Sequence, residues 1–419
     1  MDRVMRNRKL YVGAAFVAIL LALGAGQALL DNVSAQAKQA PKFEVDPFWP
    51  KPMPNNWVLG QTIGLTVDSR DHVWLIHRGN DPGTAGLDRT ELGQPTPGGP
   101  RASECCIAAP PVLEFDAAGN LVGSWGGPNK AGGYEWPESN HGIVIDHKGF
   151  VWIGGNGPGD SHILKFTRDG KFVAQYGKAY ARKGANFKEA AGTTPAGPFA
   201  ANSMDMDNFG RVAKMFIDAK ANEGYVSDGY LNHRVAVIDL DTGKIKRMWG
   251  AYGEPPTDLP MPRYTPGQAP SKQFSNPMHC AEVSNDGFVY TCDRVNDRVQ
   301  IFTREGKFVK EVFVAPNTMS DGSVWDVAFS KDAEQKYLYM ADGANEHVRV
   351  FDRKSMEELY NFGYGGRQPG MFLGVHSIAT DSKGNIYTTE TYTGKRLQKF
   401  VMKGMAPVGK SATPPWPGM

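Results

Sequence analysis

Between residues 60 and 400 the chain repeats one order of short apolar runs and polar breaks. The unit is clearest at 277–302, PMHCAEVSNDGFVYTCDRVNDRVQIF. A run from His279 to Val283 meets the turn Ser284-Asn285-Asp286-Gly287. A β-rich run follows from Phe288 to Cys292, and a third spans Arg298 to Phe302. Such runs around tight turns predict three antiparallel strands. The same order returns six times. First strands are read from Ile63, His141, Met215, His279, Trp325 and His376. Second strands start at Val73, Val151, Tyr225, Phe288, Leu338 and Ile386, and third strands at Val112, Ile163, Arg234, Arg298, Val348 and Leu397. Endings such as Trp125-Gly126, Tyr176-Gly177, Trp249-Gly250 and Phe362-Gly363 supply a fourth, outer strand.

Six four-stranded units at a period of roughly 45 to 75 residues predict an all-β fold, a six-bladed β-propeller. One blade cannot bury both faces alone, so the six form one domain, read over 59–403. A lead-in segment at 38–58 adds an outer strand that closes the ring, and 404–419 reads as a flexible tail. Insertions at Asn80–Pro110 and Ala179–Arg211 leave from the same end of the propeller and wall a cleft there.

Composition agrees: 49 Gly and 29 Pro suit many turns. A net charge of +2 with 21% charged residues gives no sign of the concentrated basic face that nucleic-acid binding needs. At the N-terminus, Arg3, Arg6, Arg8 and Lys9 precede an apolar run from Leu10 to Leu30, and Ser34-Ala35-Gln36-Ala37 follows. This predicts a secretory signal peptide over 1–37, cleaved after Ala37. The run is also long enough to remain as a membrane anchor. Either way the body is expected outside the cytoplasm, periplasmic or secreted, where disulfides are permitted. Cys280 and Cys292 lie on neighbouring strands of one hairpin, and their pairing depends on its register. Cys105 and Cys106 are adjacent in a loop, and none of the four has CxxC metal spacing.

Aligning the units exposes two chemical registers. His141 stands five residues before Asp146, His376 five before Asp381, and His279 five before Ser284 at the equivalent turn position. Histidine thus occupies one register in blades two, four and six, while Ile63, Ala213 and Trp325 occupy it in blades one, three and five. First strands line a propeller's channel, so three imidazoles from alternate blades converge on its axis. Three histidines with an open position are a catalytic zinc arrangement. A lone strand-start histidine is ordinarily structural; His72, His77, His147, His162, His233 and His347 lack the register and read as surface or loop residues.

The second register is the end of the second strand. It holds Arg78, Tyr230 and Arg294, with Asn156, Gly343 and Thr391 in the other blades. Arginine grips a carboxylate with two hydrogen bonds, and a phenol beside cations can act as a base. Singly, each arginine suits a surface ion pair (Arg294 with Asp293 or Asp297) and Tyr230 a packed rim aromatic.

These residues carry a resemblance. Gly64 to Asp68 through Ile76 to Gly79, His141 to Asp146, Tyr225 to Arg234, Phe274 to Arg298 and His376 to Phe400 resemble the peptidyl-α-hydroxyglycine α-amidating lyases, and more widely the NHL-repeat propellers. The likeness covers roughly 60 to 400 and implies a zinc-dependent six-bladed propeller of NHL type. It places zinc ligands on His141, His279 and His376 and catalytic roles on Arg78, Tyr230 and Arg294. It also implies a channel calcium, held partly by the backbone carbonyls of Leu65 and Ile143 and by an Asp after the third histidine. Ser377 stands at that last position, so weak or no calcium dependence is expected.

The function expected is an exported zinc lyase. It would cleave a carbinolamide N–C bond in a small carboxylate-bearing or peptide-derived substrate, giving an amide and glyoxylate or a related acid. A partner hydroxylase would supply that substrate. The competing readings are metal-dependent hydrolysis of a lactone or small acid at the same site, and a non-enzymatic NHL propeller serving as a binding module.

Overall fold

Six four-stranded antiparallel sheets form from the six units. The computed structural model describes residues 38–79, 86–87, 91–92, 103–129, 131–181 and 200–408. The expected signal segment at 1–37, most of both insertions and the end of the tail lie outside these residues. Among the described residues no helix is long and apolar enough to cross a membrane.

Blade one comprises Gln61–Val67, Val73–Arg78, Val112–Phe115 and Leu121–Trp125, and blade two Asn140–Ile145, Val151–Gly155, His162–Phe166 and Phe172–Gly177. Blade three is Lys214–Asp218, Glu223–Asp228, Arg234–Asp239 and Ile245–Trp249; blade four is Met278–Val283, Phe288–Asp293, Arg298–Thr303 and Phe308–Phe313. Blade five is Asp326–Phe329, Tyr337–Asp342, His347–Asp352 and Glu357–Phe362. Blade six takes Val375–Thr380, Ile386–Glu390 and Leu397–Pro407 from the end of the chain and Gln39–Val45 from its beginning. The lead-in therefore closes the ring. The first tail residues belong to this closure, because Pro407 pairs with Gln39 and Ala406 with Ala40. The predicted break at 404 falls inside a strand.

Two devices recur because the repeat recurs. The turn aspartate after a first strand accepts a hydrogen bond from an aromatic on the second: Trp74 Nε1 to Asp68 at 3.1 Å, Trp152 Nε1 to Asp146 at 2.8 Å, Tyr387 Oη to Asp381 at 3.0 Å. An acid ending the second strand pairs with an arginine near the start of the third: Asp228 with Arg234 at 2.8 Å, Asp293 with Arg298 at 2.7 Å, Asp342 with Arg349 at 2.8 Å, and Glu390 with Arg396. Asp228, Arg234, Asp293 and Arg298 are fully buried. Removing one partner of such a pair strands a charge and costs about 3–5 kcal/mol.

Apolar clusters fill all six seams between neighbouring blades. The seam between blades six and one is sealed by lead-in Trp49, whose ring meets Tyr387 and Phe115. Cys280 and Cys292 are direct cross-strand partners and are disulfide-bonded; Cys105 and Cys106 are bonded to each other. Two histidines read as surface residues are instead buried strand residues, His77 at 0% and His162 at 1% exposure. His77 accepts from Gly60 N at 3.2 Å and reaches the Pro110 carbonyl at 3.0 Å. Its burial pushes the imidazole down to about 4.

Candidate metal centre

The histidine-bearing strands break register where the histidine sits. Pairing shifts between Asn140 and Ile143, between Met278 and Cys280, and between Val375 and Ile378. Blade one shifts likewise between Thr62 and Gly64. A bulge leaves a residue out of the ladder and re-aims its side chain. Here it turns each imidazole into the channel and frees the Ile63 carbonyl. Glycines allow the close approach of neighbouring blades: a Cβ on Gly64 would lie 2.3 Å from the His141 carbonyl oxygen, and one on Gly142 3.0 Å from that of Ala213.

His141, His279 and His376 meet at the axis. One ring nitrogen from each lies within 4.8 Å of the others, and the ring centroids are 4.8 to 5.2 Å apart. Each Nδ1 reaches a carbonyl of the next blade: His141 to Ala213 at 2.6 Å, His279 to Trp325 at 2.5 Å, His376 to Ile63 at 2.8 Å. A carbonyl can only accept, so each Nδ1 carries the proton and each neutral ring keeps its lone pair on Nε2. Burial is the main cause holding all three well below the ordinary histidine range. The next causes are His376 and His279 for His141, His376 and Arg294 for His279, and Arg294 and Arg78 for His376. Three neutral imidazoles anchored through Nδ1 fit a zinc ion at Nε2, since carbonyl contacts of this kind fix the tautomer of metal-ligating histidines.

Tyr230 covers the triad. Its Oη lies 2.9 Å from His141 Nε2 and 3.2 Å from His279 Nε2, and Arg294 Nη1 donates to it at 3.4 Å. One hydroxyl proton cannot satisfy two acceptors, so the Nε2 set exceeds its donors. Arg294 stacks on Trp325 with its Cζ 4.4 Å from the ring. Its expected partners are taken, Asp293 by Arg298 and Ser275, and Asp297 by Ser323. The Arg294 Nε is buried without a partner among the described residues, and the nearest carboxylate oxygen, on Asp321, lies 3.6 Å from Nη2. Arg78 is aimed by neutral acceptors: Asn140 O at 3.0 Å, Gln61 Oε1 at 3.0 Å and Asn156 Oδ1 at 2.8 Å. The structure thus brings all six chemically chosen residues to one end of the channel.

The calcium expectation meets a different arrangement. Leu65 and Ile143 line a channel segment together with Lys214. Lys214 Nζ contacts both Asp326 oxygens at 2.7 and 2.9 Å and Glu282 at 2.8 Å. Burial opposes this charge, but Asp326 and Glu282 hold the ammonium protonated. Burial also pushes both carboxyls up; the two-oxygen contact marks Asp326 as the charged partner. Ser377 Oγ donates to the Ile63 carbonyl at 2.6 Å. A resident ammonium and a hydroxyl already committed to a carbonyl do not fit a calcium site.

Sequence reasoning missed Arg211, Lys214 and the carbonyl acceptors. Arg211 lies at the end of an insertion, outside any strand register, and Lys214 begins a first strand with no counterpart elsewhere. The acceptors Ile63, Ala213 and Trp325 occupy the histidine register, so the alternation of blades was itself the signal.

No family model matches the chain. It is 26% identical over 272 residues to peptidyl-glycine alpha-amidating monooxygenase B of Xenopus laevis, covering 64% of this chain and 26% of that protein. The chain thus spans about a quarter of the length of the curated relative it matches. Solved structures similar in shape include virginiamycin B lyase from Staphylococcus aureus, at TM-score 0.47 and 10% identity over 88% of this chain and all of that one. Another is a Bacteroides thetaiotaomicron protein of unknown function, at TM-score 0.49 and 11% identity over 88% of this chain and 77% of that one. The chain is a six-bladed propeller with distant similarity to an amidating enzyme.

Proposed function

We propose that this protein is a zinc-dependent lyase that cleaves a carbinolamide. The observation that carries the reading is the anchored triad: three neutral imidazoles offer Nε2 lone pairs directly beneath a tyrosine hydroxyl and beside an arginine. A structural histidine cluster has no use for three converging Nε2 acceptors that share one hydroxyl donor.

Zinc held by His141, His279 and His376 would act as a Lewis acid toward a substrate oxygen. The Arg294 guanidinium, with its buried Nε unmatched, takes the substrate carboxylate. Arg78 adds positive charge on another side of the triad. Tyr230 Oη, acting as the phenolate beside Arg294, accepts the proton of the substrate hydroxyl. As the carbon–oxygen double bond forms, the carbon–nitrogen bond breaks, its electron pair goes to nitrogen, and nitrogen takes that proton back from Tyr230 Oη. The products are an amide and glyoxylate.

Supply of such a substrate calls for a separate hydroxylation step, which we assign to a partner enzyme. We place the protein outside the cytoplasm, on the strength of the N-terminal segment and the Cys280–Cys292 disulfide.

The test is product analysis. Zinc-loaded protein incubated with an α-hydroxyglycine peptide should release amide and glyoxylate in equal amounts. Hydrolysis of a lactone, with no carbinolamide turnover, would replace this reading with the hydrolase one. Protein lacking any transition metal would leave the binding module.

A further inference from the structure

At the mouth of the channel a third guanidinium stands beside Arg78 and Tyr230. Arg211 Nε donates to the Asn156 backbone carbonyl at 2.6 Å, while the Asn156 side chain receives Arg78 at 2.8 Å. One residue thus carries both arginines. The Arg211 carbonyl in turn accepts Tyr230 N at 3.1 Å. Arg211 is tied to two of the residues placed in the reaction.

Its backbone is held against its preference. Arg211 has φ +63°, a left-handed conformation that costs a non-glycine residue roughly 1 kcal/mol or more. The surroundings enforce it. Gly210 N donates to Asp228, Gly210 O accepts from Leu231 and Asn232, and Arg211 N donates to Asp160 O at 3.0 Å. A Cβ on Gly210 would strike the Asn232 side chain at 2.3 Å. Strain enforced this thoroughly aims a side chain that function needs.

Among the described residues the charge of Arg211 has no carboxylate partner within ion-pair distance. Among the described residues its guanidinium makes the single hydrogen bond to Asn156. The two nearby acids are already engaged. Asp160 accepts the N–H groups of Glu138, Ser139 and Gly157, and Glu138 accepts Gly159 N and Tyr180 Oη. A half-buried arginine paired only to a carbonyl is an anion site awaiting its anion.

We infer that Arg211 binds a second anionic group of the substrate, distinct from the carboxylate assigned to Arg294. The inference rests on the lyase reading for the substrate's core and adds its class: a carbinolamide whose acyl part carries its own carboxylate. Arg294 follows the second strand of blade four, whereas Arg211 lies in the connection that leads into blade three.

The test uses binding as well as turnover. Calorimetry compares the unreactive probes succinylglycine and acetylglycine on zinc-loaded wild type, Arg211→Asn and Arg211→Lys. Asparagine tolerates the left-handed backbone, and zinc content and melting temperature check that the variants fold. Wild type should bind succinylglycine about tenfold or more tightly than acetylglycine, the scale of one charged hydrogen-bonded contact. Arg211→Asn should abolish that preference and Arg211→Lys should keep part of it. Equal binding of the two probes by wild type, a measurement that needs no variant, overturns the inference, as does an unchanged preference in Arg211→Asn. The α-hydroxyglycine forms of both compounds serve for turnover. Failure of both to react, with the binding preference intact, sinks the lyase reading alone; turnover of both with no preference sinks only this one.

Discussion

His141 Nδ1 donates to the Ala213 carbonyl at 2.6 Å, across the seam between blades two and three. The same bond crosses two further seams, from His279 to Trp325 and from His376 to Ile63. Each blade that lacks a channel histidine holds the channel histidine of the blade before it. The triad is therefore a property of the closed ring.

Metal content follows from this anchoring. Protein purified without chelator should carry about one zinc per chain, and His141→Ala or His279→Ala should carry almost none. Elemental analysis decides it. A wild type free of transition metal would remove the site assignment.

Tyr230→Phe separates chemistry from scaffold. The substitution keeps the ring that packs against His141 and His279 and deletes only Oη. Zinc content and melting temperature should match wild type, while kcat for the carbinolamide falls about 10²-fold or more. Arg294→Ala should lower kcat/KM by a similar factor, and Arg294→Lys should not restore it, because a point charge lacks the two-pronged geometry. Near-normal turnover by Tyr230→Phe would rule out this tyrosine as proton acceptor.

Lys214 is the cation that Asp326 and Glu282 hold in the channel. Chelating calcium alone should leave the melting temperature unchanged. Lys214→Met should destabilise the protein by about 3–5 kcal/mol, because Asp326 and Glu282 stay buried without their partner. Denaturant unfolding reads the second effect. A large melting shift on calcium removal from wild type would refute the first.

His77 predicts an acid-sensitive seam. Its folded pKa of about 4 lies below the unfolded value of 6.5, so between these the unfolded chain binds a proton that the folded chain refuses. Stability should be full above pH 6.5 and fall as pH drops toward 4, by at most about 3 kcal/mol from this residue. His77→Gln should be less stable at pH 7 but flatter across that window. Melting curves at pH 7 and pH 4.5 compare the two slopes, and equal slopes would refute the role.

The amino-acid sequence by itself determined the strand-and-turn unit, its sixfold return and the two chemical registers. These are local facts: side-chain period two, turn residues, and a constant count from a histidine to a turn. His141, His279 and His376 were legible because three copies of one count agree, and Arg78, Tyr230 and Arg294 because they share a strand end. The tertiary structure decided what distant segments do to one another. It paired Gln39–Val45 with Leu397–Pro407, which lie at opposite ends of the chain. It set Cys280 opposite Cys292, where hairpin register had left the pairing open. It buried His77 and His162, whose strands look no more internal than their neighbours until the adjacent blade covers them. It brought Lys214 to Asp326 and Arg211 to Asn156, contacts between residues 112 and 55 apart in the chain. Local pattern carries no information about which blade faces which; closing the ring does, because only then does each carbonyl acquire its histidine.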